Sequence, residues 1–332
     1  MLATVTSPAR IASLLALLLL TLSAAAPAPA QAAFSVGLSE QKLGMWQDPR
    51  FAALQVRQVR LIVAYDLILK GDFSRYDAWM AAADARGMDV LVAFNHATDS
   101  NTRLPSVTQY RRAVRSLRAR YPRVKTMSAW NEANHSTQPT HRNPRRAAAY
   151  YNALREECRG CRLVAADVLD QKGMEKWLAT FKRHARKPKL WGLHNYGDAN
   201  HFKPLRRSGT AKLLKLVKGE VWLTEAGGIV RFGSYYRGGR TGEARAARAT
   251  KQTFALARMS SRIKRVYLYH WDAEKRFITW DSGLVDASGR ARPALEVVRA
   301  ELNRQRRAQG RRPIGRLPVS RPRPLPPQAP ST

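Results

Sequence analysis

The nonapeptide TMSAWNEAN, residues 126–134, joins a short run of mainly apolar and small residues to a polar end. Its first five residues are compatible with a buried strand, and Asn131 and Glu132 follow them directly. The octapeptide VWLTEAGG, residues 221–228, repeats this arrangement around Glu225. Buried strands that deliver polar side chains at their carboxyl ends are typical of α/β barrels, in which those ends form one functional rim.

Six further runs of the same kind alternate with amphipathic stretches along the chain. In one such stretch, residues 110–121, Val114, Leu117 and Tyr121 fall on one face at helical spacing. Strands that alternate with helices predict a parallel sheet, and eight such units predict closure into a (β/α)8 TIM barrel, a fold of about 250 residues. We therefore predict a single domain over residues 33–302, with strands at Phe34–Leu38, Val59–Ala64, Val90–Phe94, Thr126–Trp130, Leu163–Asp167, Leu190–His194, Val221–Thr224 and Val266–Tyr269.

An open, doubly wound parallel sheet is the alternative α/β architecture. That fold usually carries a glycine-rich turn after an early strand, where it cradles a phosphate group. The sequence contains neither G-x-G-x-x-G nor G-x-x-x-x-G-K-[ST]. The pattern therefore favours the closed barrel and gives no indication of nucleotide chemistry.

Both ends of the chain differ from this domain. Arg10, the apolar run Ile11–Leu22 and the A-x-A motif at 30–32 are typical of a secretion signal, so we predict cleavage after residue 32 and a secreted, extracellular or cell-wall-associated protein. An uncleaved membrane anchor is the alternative, but this run is shorter than the roughly 20 residues of a membrane span, and we expect no span in the mature chain. Residues 303–332 are rich in Arg and Pro, lack acidic residues and predict a disordered tail.

The chain is strongly basic, with 58 Lys and Arg against 24 Asp and Glu and a formal net charge of +34. Nucleic acid is one partner that such a charge suggests. The basic residues are spread along the whole chain rather than gathered in one element, which argues against nucleic acid. An anionic wall or matrix polymer is the other candidate partner of the basic surface.

Cys158 and Cys161 are the two cysteines of the chain and form the motif CRGC. In a cytosolic protein this motif is typical of a redox site or of half a metal site, but the sequence has no second pair of ligands. In an exported protein a small structural disulfide is favoured. We therefore expect a disulfide, no metal and no cofactor.

Glu132 and Glu225 end predicted strands four and seven, so both should face one mouth of the barrel. Glycoside hydrolysis requires two carboxyl groups across a cleft, one to protonate the leaving oxygen and one to attack the anomeric carbon. Their neighbours suit this chemistry. Asn131 offers an amide to a sugar hydroxyl, Tyr196 offers a hydroxyl that can hold a carboxylate, and Trp271 offers an apolar platform for a sugar ring.

The segments WNE, residues 130–132, and TEAG, residues 224–227, together resemble the two signatures of clan A of the glycoside hydrolases. The resemblance extends over nearly the whole predicted domain. It implies a barrel that cleaves β-linked polysaccharide or oligosaccharide by double displacement with retention, with Glu132 as acid/base and Glu225 as nucleophile. Many clan members have proline where this chain has Ala133, so the family within the clan is not identified.

The same resemblance assigns roles to Arg60 near the start of the second strand, to His194 and Tyr196 on strand six, and to Trp271 on strand eight. The other expected substrate contacts are Asn95, His96, Trp130 and Asn131. For His96 and His194, a hydrogen-bonded structural ring is an equal alternative.

An acid/base must hold a proton at the working pH, so we expect burial and the charge of Glu225 to raise the pKa of Glu132. Two other functions remain open. One is a catalytically silent barrel that binds a cell-wall glycan, and the other is a basic adhesion protein whose charge and tail matter more than its cleft. The presence of both glutamates favours the enzyme.

Overall fold

The computed structural model describes residues 34–273 and 279–319, so the predicted secretion signal lies outside the described residues. Within them, nine parallel strands form one sheet. These strands are β1 (Ser35–Ser39), β2 (Gln58–Ala64), β3 (Asp89–Asn95), β4 (Thr126–Ser128), β5 (Arg162–Val164), β6 (Asp167–Leu169), β7 (Leu190–His194), β8 (Glu220–Ala226) and β10 (Ile263–Tyr269). A separate antiparallel pair consists of β9 (Arg231–Phe232) and β11 (Trp280–Asp281).

The sheet closes through its fifth barrel strand, which is interrupted at Ala165 and Ala166. Strand β5 pairs with β4, whereas β6 pairs with β7. Between them, Ala165 N donates to Leu190 O at 2.9 Å and Gly192 N donates to Ala166 O at 2.9 Å. Strands β5 and β6 are therefore two halves of one barrel strand, and the predicted eight-stranded TIM barrel is confirmed.

Helices follow most of the strands and pack against the outside of the barrel, where the main apolar core lies. They are α1 (Gly44–Gln47), α2 (Pro49–Leu54), α3 (Tyr65–Lys70), α4 (Asp77–Asp84), α5 (Val107–Arg120), α6 (Pro144–Glu157), α7 (Met174–His184), α8 (Tyr196–Asn200), α9 (Gly209–Leu216), α10 (Gly239–Arg258) and α11 (Pro293–Ala308).

Helix α5 begins three residues before the predicted start of the amphipathic stretch. Ser106 caps it, because the Ser106 hydroxyl accepts from Gln109 N at 3.1 Å while the Gln109 side chain accepts from Ser106 N at 2.8 Å. This capping box satisfies two backbone donors that a helix start leaves open. Capping chemistry, rather than apolar periodicity, therefore sets this helix start.

The interior of the barrel is apolar at one end and polar at the other. Five residues from five different strands form a small apolar cluster, namely Leu91, Val164, Leu190, Trp222 and Tyr267. Since side chains along a strand alternate between two faces, Asn95 and Tyr269 point inward at the carboxyl ends of the same strands. The carboxyl rim therefore receives inward-facing polar and aromatic side chains above a packed base.

Cys158 and Cys161 form the expected disulfide just after α6, with their Cα atoms 5.5 Å apart. Within residues 34–273 and 279–319, no helix combines the length and the hydropathy that crossing a membrane requires.

The expectation of a disordered tail from residue 303 is wrong for its first part. Helix α11 runs on to Ala308, and the buried Asn303 side chain donates to Ile314 O at 3.0 Å and accepts from Ile314 N at 2.6 Å. Ile314 and Leu317 then join the apolar core. The arginines of this segment are exposed or half-buried, while its apolar residues anchor it to the core. Residues 320–332 lie outside the described part of the chain.

We expect Ile314→Ala to lower the free energy of unfolding by about 2 kcal/mol, because Ile314 is 8% exposed and its truncation leaves a cavity. Val319→Ala is the matched control, since Val319 is 88% exposed and its change should cost less than about 0.5 kcal/mol. Urea denaturation of both variants measures the difference. Equal losses would show that residues 303–319 do not belong to the folded core.

Candidate active site

Two glutamates face each other at the carboxyl rim of the barrel. Glu225 lies in β8 and is 7% exposed, and Glu132 lies in the turn after β4 and is half-buried. An oxygen of Glu132 and an oxygen of Glu225 lie within 4.8 Å of each other. The placement predicted from the two strand ends is therefore present in the structure, and the two carboxyl groups share one cleft.

Glu132 has a left-handed backbone, with φ of 45°, which is uncommon for a residue with a β-carbon. Hydrogen bonds on both sides hold it there. Asn131 N donates to Phe94 O at 2.7 Å, and Ala133 N donates to Asp167 O at 2.8 Å. The neighbouring strands therefore impose a conformation that directs the Glu132 side chain into the cleft, a kind of strain that is common at functional sites.

The fully buried guanidinium of Arg60, on β2, organises the rim. Its Nη1 donates to Glu225 Oε2 at 2.6 Å, and its Nη2 donates to Asn131 Oδ1 at 2.6 Å and to Asp167 Oδ2 at 3.3 Å. Burial by itself would lower the pKa of Arg60, but the charges of Glu225 and Asp167 outweigh burial and raise that pKa. Arg60 therefore stays charged and acts on Glu225 and Asn131 rather than lining the cleft.

Tyr196 holds the second oxygen of the same carboxylate. Its hydroxyl donates to Glu225 Oε1 at 3.1 Å. Burial, followed by the charge of Glu225, raises the pKa of Tyr196 well above its ordinary value, so this hydroxyl keeps its proton. With Arg60 on Oε2 and Tyr196 on Oε1, the orientation of the Glu225 carboxylate is fixed.

Asp167 is held between two neighbouring strands. Thr224 Oγ1 donates to Asp167 Oδ1 at 2.7 Å. A β-carbon at position 192 would stand 1.8 Å from that oxygen, so only glycine fits there. Gly192 therefore gives Asp167 the space to balance the charge of Arg60.

His194 is fully buried and is a positioning residue rather than a substrate contact. Its Nδ1 lies 3.1 Å from Glu132 Oε1, and its Nε2 lies 3.4 Å from Arg60 Nη2. Since a guanidinium can only donate, we infer that Nε2 accepts and that Nδ1 carries the hydrogen that faces Glu132. This ring therefore has a hydrogen-bonding partner on each nitrogen, which agrees with the structural alternative.

The expectation that Glu132 has a raised pKa is wrong. Burial acts to raise the pKa of Glu132, but the hydrogen bond from His194 and the electrostatic influence of His194, His135 and Arg60 outweigh burial and lower it. Burial likewise acts to lower the pKa of His194, yet Glu225 and Glu132 raise it. The site therefore favours the carboxylate form of Glu132 and holds the nearest exchangeable proton on His194.

The cleft above these residues has a volume of about 850 Å³. Of the predicted site residues, it brings together Asn95, Asn131, Glu132, Tyr196 and Glu225. Its aromatic wall is formed by Phe232, Tyr236, Tyr269 and Trp280. The edge of Trp280 meets the Tyr196 ring, with ring centroids 4.8 Å apart.

Trp271, Trp130 and His96 do not line the cleft, so their predicted substrate contacts are wrong. The Trp271 indole is fully buried, donates to Asp48 Oδ2 at 3.1 Å and packs on Phe51. Trp130 stacks on Tyr150 in the core, with ring centroids 5.1 Å apart. His96 turns its Nδ1 toward the carbonyl of Ala97, at 2.7 Å.

Trp280 lines the cleft, where the sequence analysis expected Trp271. It reaches the cleft because β11 pairs with β9, with Trp280 opposite Phe232. Two-residue strands almost fifty positions apart leave no periodic signal in a sequence. Tyr269 could have been found, because it ends the eighth predicted strand on the inward face.

Asp170 is a further cleft residue that the sequence did not indicate. It follows β6 and accepts from Gly197 N at 3.0 Å and from Asp198 N, at the start of α8. Burial, followed by the charge of Asp198, raises the pKa of Asp170 to about 7. Asp170 therefore secures the short helix that carries Tyr196.

Glu132, His194 and Glu225 also have the composition and spacing of a metal site, since one ligand atom from each lies within 4.8 Å of the others. The guanidinium of Arg60 already lies 2.6 Å from Glu225 and 3.4 Å from His194 Nε2. It would repel a divalent cation at that position. We therefore interpret the cluster as an ion-paired carboxylate site.

No family model and no curated protein matches this chain. Among solved structures, GH5_18 from Streptomyces cattleya in complex with GlcNAc matches with a TM-score of 0.59 and 18% identity, over 86% of this chain and 83% of that chain. Native xylanase 10B from Thermotoga maritima matches with a TM-score of 0.62 and 10% identity, over 84% and 97%. A GH39 β-xylosidase from Caulobacter crescentus matches with a TM-score of 0.57 and 15% identity, over 80% and 70%. The chain therefore has the (β/α)8 barrel fold of these glycoside hydrolase structures.

The raised pKa of Asp170 predicts a pH-dependent stability. Its value of about 7 in the folded chain exceeds the roughly 3.9 of an unfolded aspartate. The stabilisation is therefore complete below about pH 4 and is lost as the pH rises through about 7. Urea unfolding of the wild type and Asp170→Asn from pH 4 to 8 should show a shallower loss in the variant, while Asp84→Asn, at an exposed position, keeps the wild-type slope. Identical slopes in the Asp170 variant and the wild type would contradict this assignment.

Proposed function

We propose that this protein is a retaining glycoside hydrolase that cleaves β-linked polysaccharide or oligosaccharide, with Glu132 as acid/base and Glu225 as nucleophile. The separation of the two carboxyl groups carries the proposal, since their oxygens approach within 4.8 Å. Retaining enzymes place the two groups about 5–5.5 Å apart, whereas inverting enzymes need about 6.5–9.5 Å to admit a water. So close an approach of two oxygens agrees with the retaining arrangement.

In the first step Glu225 attacks the anomeric carbon and forms a covalent glycosyl ester. Arg60 and Tyr196 each hydrogen-bond one of its two oxygens, so the Glu225 carboxylate is already oriented when it attacks the substrate. Glu132 gives its proton to the glycosidic oxygen as the bond to the leaving group breaks. Asn131, whose oxygen is held by Arg60, has its amide group at the cleft to meet a sugar hydroxyl.

In the second step Glu132 acts as base and takes a proton from the water that hydrolyses the ester. The side chain of Glu132 is 19% exposed, and a bound sugar covers it. Loss of water raises the pKa of a carboxyl group, so substrate binding promotes transfer of a proton to Glu132 before the first step. Once Glu225 is esterified its negative charge is gone, which favours the carboxylate form of Glu132 that the second step requires.

The aromatic wall supports a sugar as the ligand of the cleft. Trp280 and Phe232 lie edge to face, with ring centroids 5.1 Å apart, opposite the polar side of the cleft. Aromatic faces pack against the apolar face of a sugar ring, while amides and carboxylates meet its hydroxyls. Two of the structural matches are named xylanase and β-xylosidase, which agrees with a β-linked substrate.

We also propose that the chain acts outside the cell, after removal of residues 1–32, and that its basic surface keeps it close to anionic wall polymers. The A-x-A motif and the net charge of +34 support this location.

The two glutamate variants should fail in different ways. Glu225→Ala should lose nearly all turnover and regain part of it with added azide, which then gives a product of inverted configuration. Glu132→Ala should lose about 10²–10⁴-fold in kcat on substrates that need a protonated leaving group. It should keep activity on aryl glycosides with acidic leaving groups, where azide traps a product of retained configuration. Product configuration by NMR separates the two cases.

Glu296→Gln is the matched control for these variants, because its side chain is 54% exposed and lies on α11. It should keep wild-type turnover. Hydrolysis that survives both alanine variants unchanged would show that other residues do the chemistry. Tight glycan binding without hydrolysis by the wild type would favour the silent, glycan-binding barrel.

Replacing each of two tryptophans tests which one meets the sugar. Trp280→Ala should raise KM about tenfold, the loss expected for one aromatic contact of about 1.4 kcal/mol, with little change in Tm. Trp271→Phe should lower Tm, because it removes the buried hydrogen bond to Asp48, and should leave KM unchanged. Steady-state kinetics and thermal unfolding of both variants decide this, and the reverse pattern would restore Trp271 as the platform.

A further inference from the structure

A second groove, of about 370 Å³, opens beside the catalytic cleft. It lies between the segment that follows β4, residues 134–144, and the segment that follows β6, residues 171–180. Gln171 and Lys172 line both the groove and the cleft. The Gln171 amide donates to Asn134 O at 2.7 Å and joins the two walls at this point. One extended ligand can therefore occupy the groove and the cleft together.

The groove is lined by cations and by no carboxylate. Its charged lining residues are Arg142, Lys172 and Lys176, with His141 beside them. Within residues 34–273 and 279–319, none of these three cations forms a salt bridge with an Asp or Glu. Glu175, which precedes Lys176 in the chain, pairs instead with Lys212 at 3.1 Å. The positive charge of the groove therefore remains available to a ligand.

Helix α7 begins at this groove. Gly173 stands at its N-cap and offers no capping side chain, and Lys172 and Lys176 flank the first turn, which also contains Glu175. The N-terminal end of a helix is positive, so the Glu175 carboxylate is favourable there. Because Glu175 pairs with Lys212, Lys172 and Lys176 keep no acidic partner among the described residues.

We propose that this groove binds the anionic groups of an acidic glycan, namely carboxylates or sulfates, while the same glycan chain continues into the catalytic cleft. The proposal rests on the proposed hydrolase function and names its substrate class. Because the groove is concave and its charged residues are all basic, its positive electrostatic potential is focused relative to that of a flat basic surface. Its position next to the cleft makes it a specificity element of the substrate site.

Binding to two matched probes tests the proposal. The first probe is a β-linked oligouronate, and the second is the same oligosaccharide with its carboxyl groups reduced to alcohols. Titration uses protein that carries Glu132→Gln, which prevents turnover. We expect the oligouronate to bind about tenfold more tightly than its reduced form, because two or three partly exposed ion pairs together provide about this difference in affinity. A sulfated neutral oligosaccharide, titrated in parallel, shows whether sulfate can replace the carboxylate.

The groove variant is Arg142→Gln with Lys176→Gln, two cations that line the groove and not the cleft. It should weaken oligouronate binding about fivefold and leave the reduced probe unaffected. The control is Lys215→Gln with Lys218→Gln, which removes the same charge. Lys215 and Lys218 are exposed and precede the start of β8, so they lie at the opposite end of the barrel. The control should keep the wild-type preference for the acidic probe.

Equal affinity of the wild-type groove for the acidic and reduced probes overturns the proposal, as does an equal loss in the groove and control variants. These outcomes are separate from a failure of the hydrolase function. If the acidic probe binds through the groove but no glycan is cleaved, the groove proposal stands and the hydrolase proposal fails. If neutral glycans are cleaved through Glu132 and Glu225 and the acidic probe is not preferred, the hydrolase proposal stands and the groove proposal fails.

Discussion

The ion pair between Arg60 and Glu225 is the interaction on which the carboxyl rim depends. A fully buried guanidinium is tolerated only when carboxylates and acceptors surround it, and the loss of one partner of such a pair typically costs about 3–5 kcal/mol. Here the partners come from four different barrel strands or the turns after them, namely Ser39, Asn131, Asp167 and Glu225. Barrel closure is therefore what allows Arg60 to be buried, and Arg60 in turn sets the positions of Glu225 and of Asn131, the residue before Glu132.

The electrostatics of the two glutamates follow from this arrangement. Glu225 is held from both oxygens by groups that keep their protons, whereas Glu132 meets His194, whose other nitrogen faces Arg60. One cation thus acts on both carboxyl groups, directly on Glu225 and through an imidazole on Glu132. A substitution at Arg60 would alter Glu225 and Glu132 together, so its effect could not be assigned to either glutamate alone.

Much of this rim could be predicted from sequence, because polar residues at the ends of apolar runs must meet at one end of a parallel barrel. Glu132, Glu225 and Tyr196 follow that rule, whereas Arg60, near the start of β2, was indicated by the family resemblance. Trp271 does not, because it lies in the turn two residues beyond the inward-facing Tyr269, where strand alternation no longer fixes the direction of a side chain.

The other differences have equally local causes. Trp280 enters the cleft through a pairing of β9 with β11 that no periodicity records. The C-terminal segment folds because Asn303 and Ile314 bind each other, although its composition is that of a solvated tail. The prediction of a raised pKa for Glu132 was wrong because it considered burial without the hydrogen bond from His194. Only folding brings the His194 ring to 3.1 Å from Glu132. Composition and spacing identify the strand ends, but three-dimensional pairing decides what each side chain contacts.

The basic character of the chain gives the site a further constraint. Many of its 24 acidic residues form ion pairs with arginine, and a formal net charge of +34 remains after all 24 are counted. The Glu132 carboxyl group therefore lies in a positive surrounding potential, which favours its ionised form. Such a potential suits a nucleophile and opposes an acid. For Glu132 to hold a proton, the substrate has to contribute, by excluding water from the cleft and, in an acidic glycan, by bringing negative charge to it. The charge of the protein and the charge of its substrate would then be two parts of one mechanism for setting the protonation state of Glu132.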